Sequence, residues 1–465
     1  MSTRMSIKTL VCIGVFAFLP VSVLAGDSVP KQTLFKNVNI FNGTDNKLYK
    51  NHNVLVEGSL IKAISNAEIK GSDGVTVIDG QGKTLMPGLI DMHSHLAAST
   101  TSLAKFENTF WEELGARTAL VAEDTLMDGF TTVRDAGGMH GKGVKGMIDS
   151  GELPGPRIFA SGGFIGGTSS HADLRGLTIR NPNLEGSLDS NLLRLEVGYI
   201  TDGVDDVLAA SRRNFQMGAS QLKLMIGGGV ATEYDPWHST TFTYDEIKAA
   251  VDVATGYGSY VMAHINQPES MQLALKAGVK SIEHGFVMDE KTMKIIVKQG
   301  AWLSAQLTGT SSELAELPSL SPENLRKLEL AHGQMDNFYK LVKKYKPKQV
   351  FAVDAVLASR DNYKRQRAHE IYLFAKHFSN FEMLRAATSS AGELLSLTKQ
   401  TTYHAGKIGV AEEGAYADLL LVDGNPLEDI TVIGGNELWL KAPVPQPIKS
   451  IQIIMKDGVV FKNTL

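Results

Sequence analysis

The sequence contains almost no cysteine. Its one cysteine among 465 residues is Cys12, which lies in an apolar stretch near the start of the chain. With a single cysteine the chain can form no internal disulfide bond and no thiolate metal site. Any bound metal ion must therefore be held by histidine, aspartate, glutamate or a modified lysine.

A strong charge of either sign is also absent. The 46 basic and 50 acidic side chains give a formal net charge of −4, which offers no argument for a nucleic acid or an acidic surface as a partner. No long internal repeat or low-complexity tract is present. The apolar run over residues 10–25 is shorter than the roughly 20 residues that a membrane-spanning helix needs.

The start of the chain has the pattern of a secretory signal peptide. Arg4 and Lys8 precede the apolar run, and the small residues Val23 and Ala25 end it. This pattern predicts cleavage after Ala25, so that residues 1–25 are removed and the mature protein is periplasmic or secreted, with no stable membrane anchor. The alternative is an uncleaved anchor that holds the same domain at the outer face of the membrane.

Short segments with alternating apolar residues lie near both ends of the remaining chain. They cover residues 34–38, 53–57, 61–64, 75–79, 417–422 and 451–455. Asparagine, glycine and serine separate the early ones, as is typical of strands joined by turns. We predict that the two ends fold together as one small β-sandwich domain, built from residues 26–84 and 404–465.

The region between them alternates between strand-like and helix-like segments. Apolar runs typical of buried strands end at Ile90, Val133, Phe159, Leu224, Ala263, Ile282, Leu303 and Val353. About eight alternations of this kind indicate an α/β fold, and we predict a (β/α)8 TIM barrel over residues 85–403. A doubly wound parallel sheet would alternate in the same way. Two stretches, residues 162–219 and 307–348, are longer than ordinary connections, which is typical of lids or binding loops; the second could equally be an oligomer contact.

Two histidines follow the first of the barrel-type strands. His93 and His95 come directly after the apolar run over residues 85–91. In a strand, residues i and i+2 point to the same side, so both imidazoles face one space, as two ligands of one metal ion must. The alternative is a pair of ordinary polar residues at a strand end.

Four further residues of metal-binding or bridging type close separate apolar strands. They are Lys223, His264, His284 and Asp354. These side chains converge only if the strands close into a barrel, in which the carboxyl ends of all strands meet at one face. Their positions therefore favour the barrel over the doubly wound sheet.

These motifs resemble those of the amidohydrolase superfamily. Residues 87–95 (PGLIDMHSH) are similar to its first-strand motif, and residues 406–409 (GKIG) and 423–427 (DGNPL) are similar to its C-terminal segment. Residues 223–225 (KLM) and 281–285 (SIEHG) are most similar to the imidazolonepropionase-related branch. That branch contains zinc Xaa-Pro and Xaa-Arg dipeptidases and ochratoxinase-like hydrolases.

The resemblance implies a centre of two divalent metal ions. Its ligands would be His93 and His95 with Asp354 at the more buried ion, His264 and His284 at the second, and Lys223 as the bridge between them. Free lysine is cationic and a poor ligand, so the bridge implies that carbon dioxide has carboxylated the Lys223 amine. Nitrogen and carboxylate ligands suit zinc best, although manganese or cobalt could occupy the same site.

The resemblance also assigns roles beyond the metal ligands. Asp354 would move the proton from water to the leaving amine, although Ala352 and Val353 stand before it where the family usually has Gly-Thr. His171 lies in a segment similar to a His-Gly-Asp motif of related peptidases and would donate to the substrate carbonyl oxygen; the alternative is a role in stabilising its loop. Tyr234 and His238 would line the substrate pocket.

We therefore expect a binuclear metal-dependent amidohydrolase. It would cleave the amide bond of dipeptides or N-acyl amino acids, as a carboxypeptidase or dipeptidase does, by attack of a hydroxide that bridges the two metals. The alternatives are an ochratoxinase-like aryl-amide hydrolase, a cyclic-amide hydrolase or deaminase on the same centre, and a metal-binding protein without catalysis. Because relatives are often oligomeric, we expect a homo-oligomer that acts on a small molecule or dipeptide.

Overall fold

A computed structural model describes residues 31–99, 105, 107–138, 142–186, 190–316, 320–356, 359–399 and 403–465. The expected signal peptide, residues 1–25, lies outside the described residues. Among the helices of the described part, none has the length and the apolar character that crossing a bilayer requires.

The described residues form three sheets, with helices between many of the strands. The strands are β1 (Gln32–Ile40), β2 (Tyr49–Glu57), β3 (Leu60–Ser65), β4 (Thr76–Asp79), β5 (Thr84–Pro87), β6 (Leu89–Ser94), β7 (Phe130–Asp135), β8 (Arg157–Ala160), β9 (Phe164–Gly166), β10 (Gly198–Ile200), β11 (Leu222–Met225), β12 (Val261–Ile265), β13 (Ser281–His284), β14 (Trp302–Ser304), β15 (Lys348–Gln349), β16 (Leu419–Val422), β17 (Ile451–Lys456) and β18 (Val459–Asn463).

The helices follow most of the strands in the central region. They are α1 (Trp111–Met127), α2 (Val144–Asp149), α3 (Pro182–Glu185), α4 (Asn191–Arg194), α5 (Val204–Gln216), α6 (Tyr244–Gly256), α7 (Pro268–Ala277), α8 (Glu290–Gln299), α9 (Pro322–His332), α10 (Met335–Tyr345), α11 (Arg360–His377), α12 (Asn380–Ala386) and α13 (Ser389–Leu395). Short 3-10 turns cover Leu307–Thr310, Ser312–Glu316 and Ile430–Ile433.

The two ends of the chain share one sheet. Its order is β18-β17-β16-β5-β1-β2-β3, with β4 beside β1. The two ends meet where β16 pairs antiparallel with β5, placing Leu419 opposite Pro87. Strand β5 thus belongs to this terminal sheet although it reaches beyond residue 84, where we placed the domain boundary. The sandwich form of this unit stays a prediction.

The central strands form two parallel sheets, so the chain has an α/β fold. One sheet has the order β10-β9-β11-β12-β13-β14-β15 and the other the order β6-β7-β8. Backbone hydrogen bonds connect the two sheets on either side. The amide of Ser220 donates to the carbonyl of Ala160 at 2.7 Å, and the amide of Met92 donates to the carbonyl of Phe351 at 2.9 Å.

The unit β12–α7 illustrates how the local sequence places a side chain at a strand end. All five residues of β12 are buried, as expected for a parallel strand covered on both faces. Pro268 then occupies the first turn of α7, where its missing N–H costs nothing, and Gly278 ends the helix with a φ of 110°. His264 therefore lies near the last position of a rigid strand, just before the chain turns away.

The terminal sheet and the central region are also joined by a buried ion pair. Arg157 on β8 donates to the carboxylates of Asp418 and Asp457, and the Arg157 and Asp418 side chains are 1% and 4% exposed. Removing one partner of a buried pair leaves an uncompensated charge, which costs about 3–5 kcal/mol.

We therefore expect Arg157→Met to lower the apparent free energy of unfolding by about 3–5 kcal/mol, measured by urea titration. The control is Lys248→Met, which breaks the Lys248–Asp252 pair, whose side chains are 41% and 59% exposed. Exposed ion pairs contribute little to the free energy of unfolding, so this variant should have the same urea midpoint as the parent. Equal midpoints for both variants would show that the buried pair does not stabilise the fold.

Candidate active site

The strand β6 delivers the two histidines of the HxH motif to one place. His93 and His95 are both buried, and their ring centroids lie 5.1 Å apart. The carboxylate of Asp91 accepts hydrogen bonds from the backbone amides of His93 at 3.0 Å and Val353 at 3.1 Å. This links the end of β6 to the segment that carries Asp354.

Asp354 lies between the histidines. Its Oδ1 is 3.3 Å from His95 Nε2 and 3.5 Å from His93 Nε2, and its Oδ2 is 3.8 Å from His284 Nδ1. One ligand atom each of His93, His95 and Asp354 lie within 4.8 Å of one another. Such a group could hold a metal ion. Burial raises the pKa of Asp354, but His93 and His95 outweigh it and hold that pKa well below the usual range.

Two of these residues have a left-handed backbone. The φ of Asp354 is 53° and that of His284 is 70°, a region that costs free energy for residues other than glycine and is often found at functional sites. The Asp354 amide donates to the His93 carbonyl at 2.7 Å. This bond holds the strained residue in register with β6.

His264 and His284 lie near the carboxyl ends of the neighbouring strands β12 and β13. Their ring centroids lie 4.3 Å apart, and the His284 ring is 5.1 Å from that of His93. Burial lowers the pKa of His264 well below its usual value and that of His284 to about 4. Both rings are therefore neutral at pH 7, as a metal-binding imidazole must be. The buried His284 Nε2 has no hydrogen-bond partner among the described residues.

Lys223, near the end of β11, completes the cluster. It is fully buried, and its Nζ lies 3.3 Å from His93 Nε2. Burial lowers the pKa of Lys223 to about 8. Because only a neutral amine reacts with carbon dioxide, this lowered pKa suits the carboxylation that the resemblance implies. The modification itself stays a prediction.

Behind His93 lies an ion pair that the sequence analysis missed. Glu283 Oε2 is 2.8 Å from His93 Nδ1, and both Glu283 oxygens accept from Arg134 Nη2 at 2.8 and 2.9 Å. The three side chains are buried. Donation from His93 Nδ1 to Glu283 directs the Nε2 lone pair toward Asp354 and Lys223, which is the tautomer that a metal ligand needs. The sequence feature that could have indicated this pair is a charged residue within each of two apolar strands, Arg134 in β7 and Glu283 in β13.

We expect Glu283→Gln to weaken metal binding at His93 by about 10–100-fold, because partners of metal ligands typically contribute that much. Chelator competition, followed by metal analysis of the recovered protein, measures the change. The matched control is Glu393→Gln, an exposed glutamate that pairs with Lys348. A folded Glu283→Gln protein with the affinity of the parent would contradict the expected role of Glu283.

The structure brings His171 next to the cluster. Its ring stacks on that of His264, with centroids 4.1 Å apart and planes inclined by 20°. Its Nδ1 is 2.7 Å from Asp235 Oδ2 and 2.6 Å from Thr232 Oγ1. Asp235 is a second residue that the sequence analysis missed. Burial raises the pKa of Asp235, but the contacts with His171 and Thr232 lower it by more. The pKa of Asp235 therefore lies below its ordinary value.

Tyr234 and His238 lie in the same loop as Asp235 but are exposed. The neighbouring Trp237 is buried in the main core cluster. Within the described residues, neither the Tyr234 nor the His238 side chain forms a hydrogen bond or ring contact with the histidine cluster. Their part in substrate binding stays a prediction.

Comparison with known proteins gives the same family as the motifs. The profile of the amidohydrolase family matches residues 84–460. The ochratoxinase of Aspergillus niger is 28% identical over 397 residues, which cover 82% of this chain and 76% of the relative. A solved amidohydrolase structure is 32% identical with a TM-score of 0.82, covering 94% of this chain and all of the other. A prolidase solved with N-methylphosphonate-L-proline is 29% identical with a TM-score of 0.82, covering 93% of this chain and all of the other.

Proposed function

The chain belongs to the amidohydrolase family and is a hydrolytic enzyme, and we propose that it uses two divalent metal ions to cleave the amide bond of dipeptides or N-acyl amino acids. The observation that carries the proposal is the position of Asp354, whose carboxylate lies within 3.3–3.8 Å of nitrogens of three histidines from two strand ends. The prolidase and ochratoxinase among the similar proteins support an amide substrate.

The architecture that we propose is a closed (β/α)8 barrel over residues 88–403 with a β-sandwich from residues 26–87 and 404–465, because β5 belongs to the terminal sheet. The backbone hydrogen bonds that join the two parallel sheets on either side support closure. We also propose a periplasmic or secreted protein that forms a homo-oligomer. Fractionation of cells and light scattering of the purified protein test these two points.

The residues present fit two metal ions. One ion would be held by His93, His95 and Asp354, and the second by His264 and His284. A carboxylated Lys223 would be a ligand of both ions. The neutral imidazoles are suited to ligation, as is the buried His284 Nε2, which lacks a hydrogen-bond partner in the described part of the chain. Zinc is the ion that we propose, since nitrogen and carboxylate donors suit it. When bound, divalent cations polarise a carbonyl group and lower the pKa of water.

The chain's own residues then move protons and orient the substrate. Asp354 takes a proton from the attacking water at its carboxylate and passes it to the leaving nitrogen, acting first as base and then as acid. His171 donates from Nε2 to the carbonyl oxygen as negative charge develops there. This donation requires the imidazolium form, because Nδ1 already donates to Asp235. Tyr234 and His238 line the entrance for the substrate.

Activity of the purified chain on a library of dipeptides, N-acyl amino acids and N-aroyl amino acids tests the proposal, with metal content measured in parallel. We expect release of free amino acids that a chelator abolishes and zinc restores. Preference for N-aroyl substrates would favour the ochratoxinase-like alternative, which the similarity to the Aspergillus niger enzyme supports. Bound metal without amide cleavage would favour the cyclic-amide alternative, and absence of metal would contradict the proposal.

A further inference from the structure

The insert over residues 307–348 carries a buried lysine that contacts the loop following β11. Lys327 on α9 is fully buried. Its Nζ donates to Asp235 Oδ1 at 3.0 Å and to the carbonyls of Asp235, Thr232 and Gly229 at 2.5, 2.8 and 3.2 Å. An ammonium has three protons, so this loop alone uses its full donor capacity.

The same loop holds His171. Asp235 Oδ2 accepts from His171 Nδ1 at 2.7 Å and from the Gly229 amide at 2.8 Å, and its Oδ1 accepts from Thr232 Oγ1 as well as from Lys327. The His171 ring also packs closely against Gly229: a Cβ at residue 229 would come within 2.1–2.6 Å of three of the ring atoms. The loop therefore cannot shift without moving the ring.

A second contact from α9 fixes the loop one turn earlier on the helix. Asn324 Nδ2 donates to the carbonyls of Val230 and Thr232, at 2.5 and 3.0 Å. At its other end, the insert is held by Glu370 on α11, which accepts from the amides of Leu307 at 2.8 Å and Thr308 at 2.7 Å. Two side chains thus bond α9 to the loop after β11, and α11 holds the start of the insert.

We propose that Lys327 is a positioning residue for His171, acting through Asp235 to fix the ring that meets the substrate carbonyl. This inference rests on the proposed function for its catalytic consequence. Without Lys327, the buried Asp235 carboxylate loses its compensating charge, and three loop carbonyls lose a donor. The loop then relaxes, and His171 loses its orientation over His264.

The first test is a cycle of variants assayed on the best amide substrate of the library. We expect Lys327→Met to lower kcat by about 10–100-fold with the metal content unchanged, as for other partners of active-site groups. In a His171→Ala background, Lys327→Met should lower kcat by less than about threefold. The effects of substituting residues that act as a unit are not additive. The control is Lys145→Met, which removes another buried lysine that pairs with Asp149 on α2. Independent, multiplying effects of Lys327→Met and His171→Ala would overturn the proposal.

A second readout does not depend on activity. Hydrogen exchange should become faster over residues 228–235 in Lys327→Met and not in Lys145→Met; unchanged exchange there would overturn the proposal. If Lys327→Met does not fold, Asp235→Asn replaces it in the same cycle, with the same non-additivity expected. A parent chain that cleaves no amide would contradict the proposed function, while the exchange experiment would still decide whether Lys327 fixes the loop.

Discussion

Asp354→Asn should lower kcat by about 100- to 10,000-fold while the chain retains its fold and much of its metal. The substitution keeps the size of the side chain and one oxygen, but an amide cannot accept and return a proton. General acid–base catalysis by a placed carboxylate typically contributes a factor of this size. The strained backbone of Asp354, with a φ of 53°, tolerates asparagine because that residue adopts left-handed conformations readily.

Steady-state kinetics and metal analysis of the same sample measure this effect. Asp361→Asn, which changes an exposed aspartate at the start of α11, is the control and should leave both quantities unchanged. A metal-loaded Asp354→Asn protein with the parent's rate would exclude Asp354 as the proton carrier.

Lys223→Ala should lower activity by more than roughly 100-fold and should release metal, because even the partners of metal ligands contribute 10–100-fold. The truncated side chain leaves space beside His93, where Lys223 Nζ now lies at 3.3 Å. A small carboxylate such as acetate or propionate could enter that space and supply the bridging oxygens. We therefore expect partial recovery of activity when these acids are added with zinc.

Metal content and kcat of Lys223→Ala, with and without the added acid, test this expectation. Lys298→Ala, at an exposed position of α8, is the control and should neither lose activity nor respond to acetate. Uptake of isotope-labelled bicarbonate by the parent and not by Lys223→Ala would identify the modified residue directly. Full activity of Lys223→Ala would exclude a bridging role.

Residues at strand ends could be placed from the sequence alone. His93, His264 and His284 each follow a buried apolar run, and parallel strands bring their carboxyl ends to the same edge of a sheet. Local pattern therefore sufficed to predict that these side chains meet. The alternating segments near both ends of the chain likewise predicted that the two ends fold together. They did not predict that β5 extends past residue 84, the boundary between the two predicted domains.

The supporting residues could not be placed in this way. Arg134 and Glu283 are recognisable as charges within apolar strands, but their pairing depends on which strand lies beside which across the interior. Lys327 and Asp235 are 92 residues apart and lie in segments without strand periodicity. Their contact depends on how an insert packs, and that is decided by tertiary structure rather than by local sequence.

The pairing of β5 with β16 has a consequence for the order of folding. Thr84 Oγ1 donates to the carbonyl of Gly424, 340 residues further along the chain. During synthesis β5 therefore lacks this neighbour until residue 424 has been made. Contacts of such large sequence separation form slowly because a long loop must close first. The terminal sheet is thus expected to assemble late, with its unpaired strand edges exposed to aggregation until then.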